Sequence, residues 1–564
     1  MNAPVDPAAP RTAAHRYLAE THDVVNVGSE LAGYDMYRQD PALVEAVHRE
    51  GAEWADAALG EFGRLTGSAD YLELGVQANR HPPELDTHDR FGHRVDLVRF
   101  HPAYHQLMRM AIEHGLHSSP WTHPRRGAHV ARAARFYLQT QAEAGHTCPV
   151  TMTFASVPAL QTTPALAAAW LPKITARAYD PRNLPDAQKA GLTIGMAMTE
   201  KQGGSDVRAN TTRAHALGAA SGPGAAYELV GHKYFVSAPM CDAFLVLAQA
   251  PGGLSCFLMP RWRPDGSRNA FQVLRLKRKM GNVSNASSET ELRGALAWMV
   301  GEEGRGVRTI IEMVAMTRFD CMIGSSAAQR AAAALALHHC SRRAAFGRLL
   351  VEQPLMQNVL ADLVLEHEGS LALTLRLARA MDHRSDAQED ALVRLVTSVG
   401  KYWICKRTPQ HAYEAMECIG GSGVMEDGPF PRLYREAPVN AIWEGSGNVQ
   451  CLDMLRAVHR TPAVVDAFFA ELARARGAEA RLDRWVSELQ QEFADRTDLE
   501  YRARRIVDRM ALAIQAALLV QRAPPAVADA YCASRLEGAG PRQYGTLPRG
   551  VDCAAIIARA TPRI

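Results

Sequence analysis

The 564-residue sequence lacks several features that mark specialised proteins. It has no uninterrupted apolar run of membrane-spanning length, so we expect no membrane segment. Its ten cysteines are scattered, without a Cys-x-x-Cys pair or metal-ligand spacing, which predicts reduced thiols in a cytoplasmic protein and no metal site. The opening MNAPVDPAAPRTAAH has no apolar core, so we interpret it as a short tail and not as a secretory signal.

The sequence also lacks a strong charge of either sign. Its formal net charge is +3, which gives no global reason to expect binding to nucleic acid or acidic membranes. Apolar residues make up 47% and charged residues 22% of the chain, as is typical of soluble globular proteins. The length exceeds what one hydrophobic core fills, so two to four domains are expected.

Hydrophobic periodicity divides the chain into four regions. Apolar residues three and four apart predict helices over about 15–190, one of them beginning at Asp40-Pro41, with 82–102 as a long connection between helices. Short runs of β-branched and aromatic residues predict strands over 191–300. Long helices are predicted over 301–458, and an Arg-rich helical region over 459–564. Because strands and helices do not alternate, we predict an α+β fold that is mainly α.

The stretch AIWEGSGNVQ is a candidate catalytic segment. Glu444 stands between Trp443 and a Gly-Ser-Gly turn. A base that removes a proton from carbon needs a carboxylate in an apolar, water-poor pocket, and the turn could bring main-chain amides to a cofactor. A solvated helix end would carry the same residues, and periodicity does not distinguish the two.

Three further stretches could contact a ligand. In MTEKQGGSD, paired glycines would let the backbone approach a flat or phosphorylated molecule, although a surface hairpin turn has the same composition. In KYFVS, Phe235 and Ser237 share one face of a predicted strand and could be core residues. In RRAAFG, Arg343 could bind a phosphate or be an ordinary solvated arginine.

Taken together and in order, the stretches resemble the acyl-CoA dehydrogenase superfamily over about residues 100–455. The matching stretches are MTEKQGGSD, KYFVS, RRAAFG, IGGSG and YREAPVNAIWEGSGN. The longer forms TEKQGGSDVRANTT and KRKMGNVSNASSE, together with MTRFDC and the C-terminal extension, are similar to the AidB branch, the alkylation-response flavoproteins.

The resemblance implies a fold of four domains and a flavin cofactor. The domains are an N-terminal helical domain (1–190), a middle β-barrel domain (191–300), a helical bundle (301–458) and an added C-terminal helical domain (459–564). The implied cofactor is FAD and the implied substrate an acyl-CoA. The implied assembly is a homotetramer built as a dimer of dimers.

The resemblance also assigns roles to residues. Glu444 is implied to be the base that removes the α-proton of an acyl thioester, and Arg318 and Trp443 are expected on the acyl-CoA side. The residues implied to contact FAD are Met196, Met198, Thr199, Gly204, Ser205, Phe235, Val236, Ser237, Arg343, Phe346, Ile442, Trp443, Gly445, Ser446, Gly447 and Asn448.

Three positions depart from the family pattern. Glu417 replaces a glutamine that commonly contacts FAD, so it is not assigned to the site. Ala345 replaces a common hydroxyl residue and removes a possible phosphate donor. Trp443 replaces a smaller aromatic residue beside the base, and its bulk is expected to narrow the acyl-CoA channel.

The AidB branch is associated with binding of double-stranded DNA through the C-terminal domain and with protection from alkylation. Residues 464–564 contain fifteen arginines, no lysine and thirteen acidic residues, which is a weak basic excess for a nucleic-acid domain. Arg502, Arg505 and Arg509 share one helical face and are the DNA candidates. An ordinary solvated helix face with intrahelical ion pairs fits the same spacing. Further arginines in the less acidic tail are Arg542, Arg549, Arg559 and Arg563.

Three functional hypotheses follow from the sequence. The favoured one is an AidB-type flavoprotein that binds DNA non-specifically and retains weak α,β-dehydrogenation of short or branched acyl-CoA. The second is a metabolic acyl-CoA dehydrogenase without a DNA role. The third is a flavin oxidase of the same fold that returns electrons to oxygen.

Overall fold

The computed structural model describes residues 22–537 and 543–563 of the chain, so Arg542 lies outside it. Helices predominate, and one seven-stranded sheet lies between two helical regions along the chain. The predicted fold class, α+β and mainly α, is confirmed. In the part of the chain that is described, no helix has both the length and the apolar character needed to cross a membrane.

The N-terminal region consists of short helices and one hairpin. Asp40 caps the first helix by accepting a hydrogen bond from the Leu43 amide at 3.3 Å, and Pro41 is the first helical residue, as the sequence predicts. The helices are α1 (Pro41–Arg49), α2 (Asp56–Thr66), α3 (Ala69–Arg80), α4 (Pro102–Glu113), α5 (Ser119–Thr122), α6 (Ala128–Ala142), α7 (Thr147–Gln161) and α8 (Pro164–Ile174).

The long connection predicted over 82–102 lies between α3 and α4, but it contains strands that the sequence pattern did not indicate. The segment forms an antiparallel pair, β1 (Glu84–His88) and β2 (Arg94–Arg99). Its turn is closed by Asp89, whose carboxylate accepts hydrogen bonds from the amides of Phe91 and His93. Arg94 also donates to the Val273 carbonyl in the middle region at 2.8 Å. This tertiary contact supports a hairpin that local hydrophobic patterning does not predict.

The middle region is a barrel-like sheet. Five of its strands form a closed ring, in the order β4, β5, β9, β7, β6 and back to β4, while β3 pairs with β6 and β8 pairs with β9. Closure removes the unpaired edges that an open sheet would expose. The strands are β3 (Ile194–Ala197), β4 (Arg213–Ala216), β5 (Ala226–Ser237), β6 (Ala243–Ala250), β7 (Gly253–Pro260), β8 (Phe271–Leu276) and β9 (Ser287–Val300).

Three long helices form the centre of the bundle, close to where the sequence predicts them. The third is followed by short helices that carry the candidate site. The elements are α9 (Gly306–Cys340), a small hairpin of β10 (Ala344–Ala345) and β11 (Arg348–Leu349), α10 (Pro354–Asp382), α11 (Ala387–Glu417), α12 (Phe430–Glu436), α13 (Val439–Ile442) and α14 (Gly447–Arg460).

The C-terminal helices share the core of the bundle. The residues of α17 from Met510 to Leu519 are all buried, within the same apolar cluster as the bundle helices. Buried Arg376 on α10 donates to Glu471 on α15 at 2.9 Å and to Glu389 on α11 at 2.8 Å. The helices are α15 (Ala463–Ala473), α16 (Ala480–Ala494), α17 (Leu499–Arg522), α18 (Pro525–Arg535) and α19 (Cys553–Ala560). The exact limits proposed for the four domains stay a prediction.

Candidate active site

Glu444 lies in the short link between α13 and α14. Its backbone is left-handed, with φ of +57°, a conformation that costs a non-glycine residue about 1–3 kcal/mol. Gly445 follows with φ of +95°. A Cβ atom at Gly445 would lie 2.8 Å from the Gln450 amide nitrogen and 2.9 Å from Val449. The link is therefore strained and closely packed, as is common where function fixes a backbone.

Three side chains hold the main-chain carbonyls around Glu444. Lys401 Nζ donates to the carbonyls of Trp443 at 2.7 Å and Gly445 at 2.6 Å. Arg318 Nε donates to the Glu444 carbonyl at 2.9 Å, and Gln450 Nε2 donates to the same carbonyl at 3.0 Å. The three donors come from α11, α9 and α14, so the link is tied to three helices.

The Glu444 carboxylate meets α9. Thr317 Oγ1 lies 2.7 Å from Glu444 Oε2 and also 3.0 Å from the Val314 carbonyl. The neighbouring Arg318 pairs through Nη1 with Asp453 at 2.9 Å. Burial would raise the pKa of Asp453, but its hydrogen bond to Arg394, with the charges of Arg318 and Arg394, holds that pKa below its usual value. Arg318, expected on the acyl-CoA side, is thus engaged with the backbone and a carboxylate.

Trp443 is fixed by a short chain of hydrogen bonds. Its indole nitrogen donates to Asn440 Oδ1 at 2.9 Å, and the Asn440 amide donates to Ser325 Oγ on α9 at 3.2 Å. Trp443 is half-buried, whereas its neighbour Ile442 is exposed. The orientation of the indole beside the base is therefore set by α13 and α9.

Cys148, near the start of α7, connects Glu444 with the middle region. Burial raises the pKa of its thiol to about 12; the Lys279 ammonium opposes that rise and the Glu444 carboxylate adds to it. The thiol also interacts with Ser237 at the end of β5. Lys279 donates to Ser287 Oγ at 3.0 Å. Glu444 and Ser237, distant in sequence, therefore lie around one thiol.

The MTEKQGGSD stretch forms a tight turn after β3, held by a buried ion pair. Lys233 Nζ donates to Glu200 Oε1 at 2.8 Å, and Thr212 Oγ1 donates to the same oxygen at 2.6 Å. The pKa of Glu200 is lowered because these contacts outweigh its burial. At Gly204, a Cβ atom would lie 2.9 Å from Thr199 Oγ1. The turn therefore sets Thr199 and Gly204 side by side.

The other residues assigned to this stretch differ in exposure. Met196 and Met198, which lead into the turn, are half-buried, and Ser205 is exposed.

Exposed and buried side chains alternate along β5 at the KYFVS stretch, as predicted. Phe235 is 45% exposed and Ser237 is half-buried, while Val236 between them is fully buried in the core of the sheet. The Val236 carbonyl accepts a hydrogen bond from Ser288 Oγ at 3.2 Å. A contact from Val236 to a cofactor, expected from the family pattern, cannot come from its side chain, because that side chain faces the core.

The RRAAFG stretch forms the β10–β11 hairpin away from Glu444. Arg343 donates to the Asn26 carbonyl at 2.9 Å, and the Ala344 amide donates to Asn26 Oδ1 at 2.7 Å. Phe346 at the tip is fully exposed in a left-handed conformation with φ of +54°. Among the described residues, no hydrogen bond or ion pair joins Arg343 or Phe346 to the Glu444 segment.

The turn after Glu444 meets the C-terminal region. Ser446 precedes α14, Gly447 is buried at its first position, and Asn448 is exposed. Arg504 Nε on α17 donates to Asn448 Oδ1 at 2.8 Å. A Cβ atom at Gly447 would come within 3.5 Å of both Lys406 on α11 and Arg504. Cations from two helices thus lie at a helix N-terminus, an arrangement suited to an anion.

Several of the residues assigned to FAD offer groups that such a cofactor can bind. The hydroxyls of Thr199, Ser205 and Ser446 make no hydrogen bond to another side chain or carbonyl within the described ranges, so they are free to bind a ligand's polar edge. Phe235 presents an exposed aromatic face, and the Ser446–Asn448 turn offers main-chain amides beside two cations. Flat apolar contact, hydroxyl donors and a cationic turn match the flavin ring and the charged pyrophosphate of FAD.

The three candidate DNA arginines on α17 are paired with carboxylates. Arg502 and Arg505 donate to the two oxygens of Glu492 on α16, at 2.8 and 2.7 Å. Arg509 pairs with Glu488 at 2.7 Å and lies over the ring of Trp485. Arg505 keeps a 68% exposed side chain. The alternative of a charged helix face predicted ion pairs within the helix, whereas the observed pairs join α17 to α16. In the tail, Arg559 pairs with Glu45 and Glu368.

Sequence patterns did not identify several residues that shape the site. Thr317, Lys401, Gln450 and Asn440 contact the Glu444 segment from other elements. Of these, Lys401 carries a usable signal, because it is a lone lysine in the apolar stretch SVGKYWIC. Thr317 lies next to Arg318 in MTRFDC, one of the stretches that resemble the AidB branch. The resemblance gave no role to Thr317.

Comparison with known proteins agrees with this architecture. Three family models match the chain: the adaptive response protein AidB N-terminal domain over 26–181, the acyl-CoA dehydrogenase middle domain over 195–295 and the acyl-CoA dehydrogenase C-terminal domain over 304–459. AidB of Escherichia coli K12 is 48% identical over 523 residues, covering 92% of this chain and 95% of that protein.

Caenorhabditis elegans provides both a sequence match and a structural match. Acyl-CoA dehydrogenase family member 11 is 32% identical over 459 residues, covering 77% of this chain and 72% of that protein. The crystal structure of ACDH-11 in complex with C11-CoA has a TM-score of 0.85 at 27% identity, covering 97% of this chain and 99% of that one. The chain therefore belongs to the AidB branch of the acyl-CoA dehydrogenase family, whose members are FAD-dependent oxidoreductases acting on CH–CH bonds.

Proposed function

We propose that Glu444 is the base that removes the α-proton of an acyl-CoA thioester. The observation that carries this proposal is the carboxylate held by Thr317 on a backbone fixed in a left-handed conformation. A base needs its proton-accepting oxygen at a defined place. FAD, when bound, supplies the acceptor for the hydride lost from the β-carbon.

Thr317 can serve both protonation states of the base. While Glu444 is ionised, the hydroxyl donates its hydrogen to Oε2. Once Glu444 has taken a proton, Oε2 can donate to Thr317 Oγ1, and the hydroxyl hydrogen can turn to the Val314 carbonyl 3.0 Å away. A hydroxyl both donates and accepts, so the abstracted proton stays hydrogen-bonded within the protein.

We propose that the bulk of Trp443 limits the size of the acyl group that can reach Glu444. Because Asn440 fixes the indole beside the base, we expect weak turnover of short or branched acyl-CoA. The relative ACDH-11 was crystallised with C11-CoA, which makes a longer chain the informative comparison. Reduction rates with butyryl-, isovaleryl- and undecanoyl-CoA distinguish the two substrate classes.

Replacement of Glu444 by glutamine tests the role of the base. The amide keeps the size of the side chain but cannot accept the α-proton, so we expect Glu444→Gln to bind FAD normally and to lose flavin reduction by acyl-CoA more than about 10³-fold. The measurement is anaerobic bleaching of the flavin absorbance after mixing with each thioester. Unchanged bleaching would remove Glu444 from the mechanism, and a wild-type protein that no thioester bleaches would remove the proposed reaction.

We propose that the chain assembles as a homotetramer in which the β10–β11 hairpin contacts a neighbouring subunit. Phe346 is a large apolar residue, fully exposed on a strained turn. Val24, Val25 and Val27 are exposed beside it, since Asn26 is bonded to the hairpin. Exposed apolar side chains brought close together in this way favour an association surface.

We also propose that the C-terminal domain binds double-stranded DNA without sequence preference and that binding protects DNA from alkylation. The support comes from membership of the AidB branch and from exposed arginines such as Arg505. Because these arginines already share carboxylates, binding should be weak, dependent on phosphate contacts and sensitive to salt. A tetramer would repeat the surface four times.

A further inference from the structure

The side chain of Lys401 is buried, and only main-chain carbonyls accept its hydrogen bonds. Its ammonium donates to Trp443 O and Gly445 O. Across the described residues, no carboxylate lies within ion-pair distance of Lys401. A buried charge without a counter-ion is costly unless its hydrogen bonds are satisfied. The residue therefore supports a particular backbone arrangement and not a salt bridge.

The two carbonyls that Lys401 binds belong to residues on either side of Glu444. Carbonyls two residues apart converge on one nitrogen only if the chain turns sharply between them. Glu444 makes this turn, with φ of +57°. The ammonium thus stabilises a left-handed backbone conformation at Glu444, which non-glycine residues rarely adopt.

The carbonyl of Glu444 itself is held by Arg318 and Gln450. With Lys401, these donors fix three consecutive carbonyls, and so fix the direction in which the Glu444 side chain leaves the backbone. The carboxylate then meets Thr317. Burial raises the pKa of the Cys321 thiol, while the Lys401 charge opposes that rise and the Glu444 charge adds to it, so both charges act on one thiol.

We propose that Lys401 is a positioning residue for Glu444: its ammonium bridges the carbonyls of Trp443 and Gly445 and holds the base in its reactive orientation. The proposal rests on the proposed role of Glu444 as the base. It predicts that Lys401 acts on the proton-abstraction step and on the order of this link, and not on FAD binding.

The test compares Lys401→Met, which keeps the length of the side chain without its donors, with Lys401→Arg, which keeps charge and donors. Lys189→Met is the matched control, because Lys189 is also buried, pairs with Asp242 and lies outside the site. Each protein is assayed for FAD content, for single-turnover flavin reduction by butyryl- and undecanoyl-CoA, and for amide hydrogen exchange in peptides covering 439–450.

We expect Lys401→Met to bind FAD, and its flavin to be reduced about 100-fold more slowly, with the half-saturating thioester concentration of the single-turnover reaction changed less than threefold. The rate of flavin reduction should be at least tenfold higher in Lys401→Arg than in Lys401→Met. The rate in Lys189→Met should stay within threefold of the wild-type rate. Amides of the Glu444 segment should exchange at least tenfold faster in Lys401→Met only. Wild-type rates or unchanged exchange in a folded Lys401→Met protein would overturn the proposal.

A second variant covers the case in which Lys401→Met does not fold. Gln450→Leu removes two hydrogen bonds, to Glu444 O and Gly445 O, and should slow flavin reduction about tenfold with faster exchange of the same peptide. Wild-type behaviour of Gln450→Leu would then overturn the proposal. If wild-type protein is not reduced by any thioester, the assignment of the base fails, and hydrogen exchange still decides whether Lys401 orders the link.

Discussion

At the scale of single residues, the site depends on hydrogen bonds to carbonyls more than on a cluster of acids and bases. Among the described residues, Glu444 has one side-chain partner, Thr317, whereas the carbonyls of Glu444 and its neighbours accept hydrogen bonds from three helices. A charged or amide donor directed at a carbonyl gives orientation, which is what a proton-transfer step requires. We therefore expect substitutions of these donors to lower activity without releasing the cofactor.

Replacement of Thr317 by valine tests the partner of the carboxylate. Valine keeps the shape of threonine but removes the hydroxyl, and hydrogen bonds to charged groups contribute about 1.5–3 kcal/mol. We therefore expect Thr317→Val to slow flavin reduction by acyl-CoA roughly 10- to 100-fold at unchanged FAD content. Thr317→Ser restores the hydroxyl and should restore most of the rate. A Thr317→Val rate equal to that of wild type would show that the hydrogen bond is dispensable.

Glu436, at the end of α12, makes the stability of the fold depend on pH. Burial, with the nearby Glu143 charge, raises the pKa of Glu436 to about 7 from 4.5, although the Asn282 amide donates to it at 2.7 Å. The folded protein therefore binds a proton that the unfolded chain releases above pH 4.5, so the stabilisation is complete below that pH and declines as pH rises to about 7.

Glu436→Gln should remove this dependence, because the amide cannot ionise and can still accept from Asn282. The expected gain in unfolding free energy is about 3 kcal/mol at most above pH 7 and close to zero near pH 4.5. Thermal unfolding of both proteins across this pH range measures the difference. A difference in melting temperature that does not change with pH would contradict the assignment to Glu436.

How much of the site was predictable differs between residues. The alternation of Phe235, Val236 and Ser237 was predictable because it follows from one short contiguous stretch, whereas the role of Glu444 as the base stays a prediction. The sequence did not show that Arg318 holds the Glu444 carbonyl, since that contact spans 126 residues. A pattern places a residue on an element, whereas the direction of a side chain depends on packing between elements.

At the scale of elements, α16 and α17 form a charge-matched pair. Glu492 is shared by Arg502 and Arg505, and Glu488 meets Arg509. The helical spacing predicted that the arginines share a face, but it could not predict a neighbouring helix with carboxylates at matching positions. The hairpin β1–β2 was missed for a related reason, because its support comes from Arg94 bonding to the middle region.

Charge reversal at Arg505 tests the proposed DNA surface. Arg505→Glu removes an exposed cation and adds repulsion towards Glu492, so we expect DNA affinity to fall about three- to tenfold at low salt, with a smaller difference at high salt. Titrations with double-stranded DNA at two salt concentrations measure this. Arg90→Glu, at the tip of the β1–β2 hairpin, is the control and should bind as wild type does. Equal affinities for wild type and Arg505→Glu would exclude this face.

At the scale of the whole molecule, two apolar cores divide the chain. One joins the N-terminal helices, the bundle and the C-terminal helices; the other fills the barrel and the elements against it. The Glu444 link belongs to the bundle, and Ser237 belongs to the barrel, so the candidate site lies where the two bodies meet. Small changes in how they pack would therefore alter the site, as is common for ligand sites at domain boundaries.

Replacement of Phe346 tests the proposed assembly. Phe346→Ser removes the exposed ring, so we expect the tetramer to dissociate partly into smaller species, which analytical ultracentrifugation would show. Because the family resemblance places Phe346 among the residues that contact FAD, retention of FAD should fall as well. Tyr501→Ser, a change at another 93% exposed aromatic residue, should leave the assembly intact. A Phe346→Ser protein that sediments like wild type would contradict the proposal.

Arg376 gives the molecule an evolutionary constraint. Its guanidinium is buried on α10 and depends on Glu471 of α15 as well as on Glu389. If α15 to α19 were lost, the surface of α10 and α11 that they cover would meet water, and Arg376 would lose half of its counter-charge. The packing of α10 in this chain therefore depends on the C-terminal helices, and we expect a relative without these helices to carry a different residue at the position of Arg376.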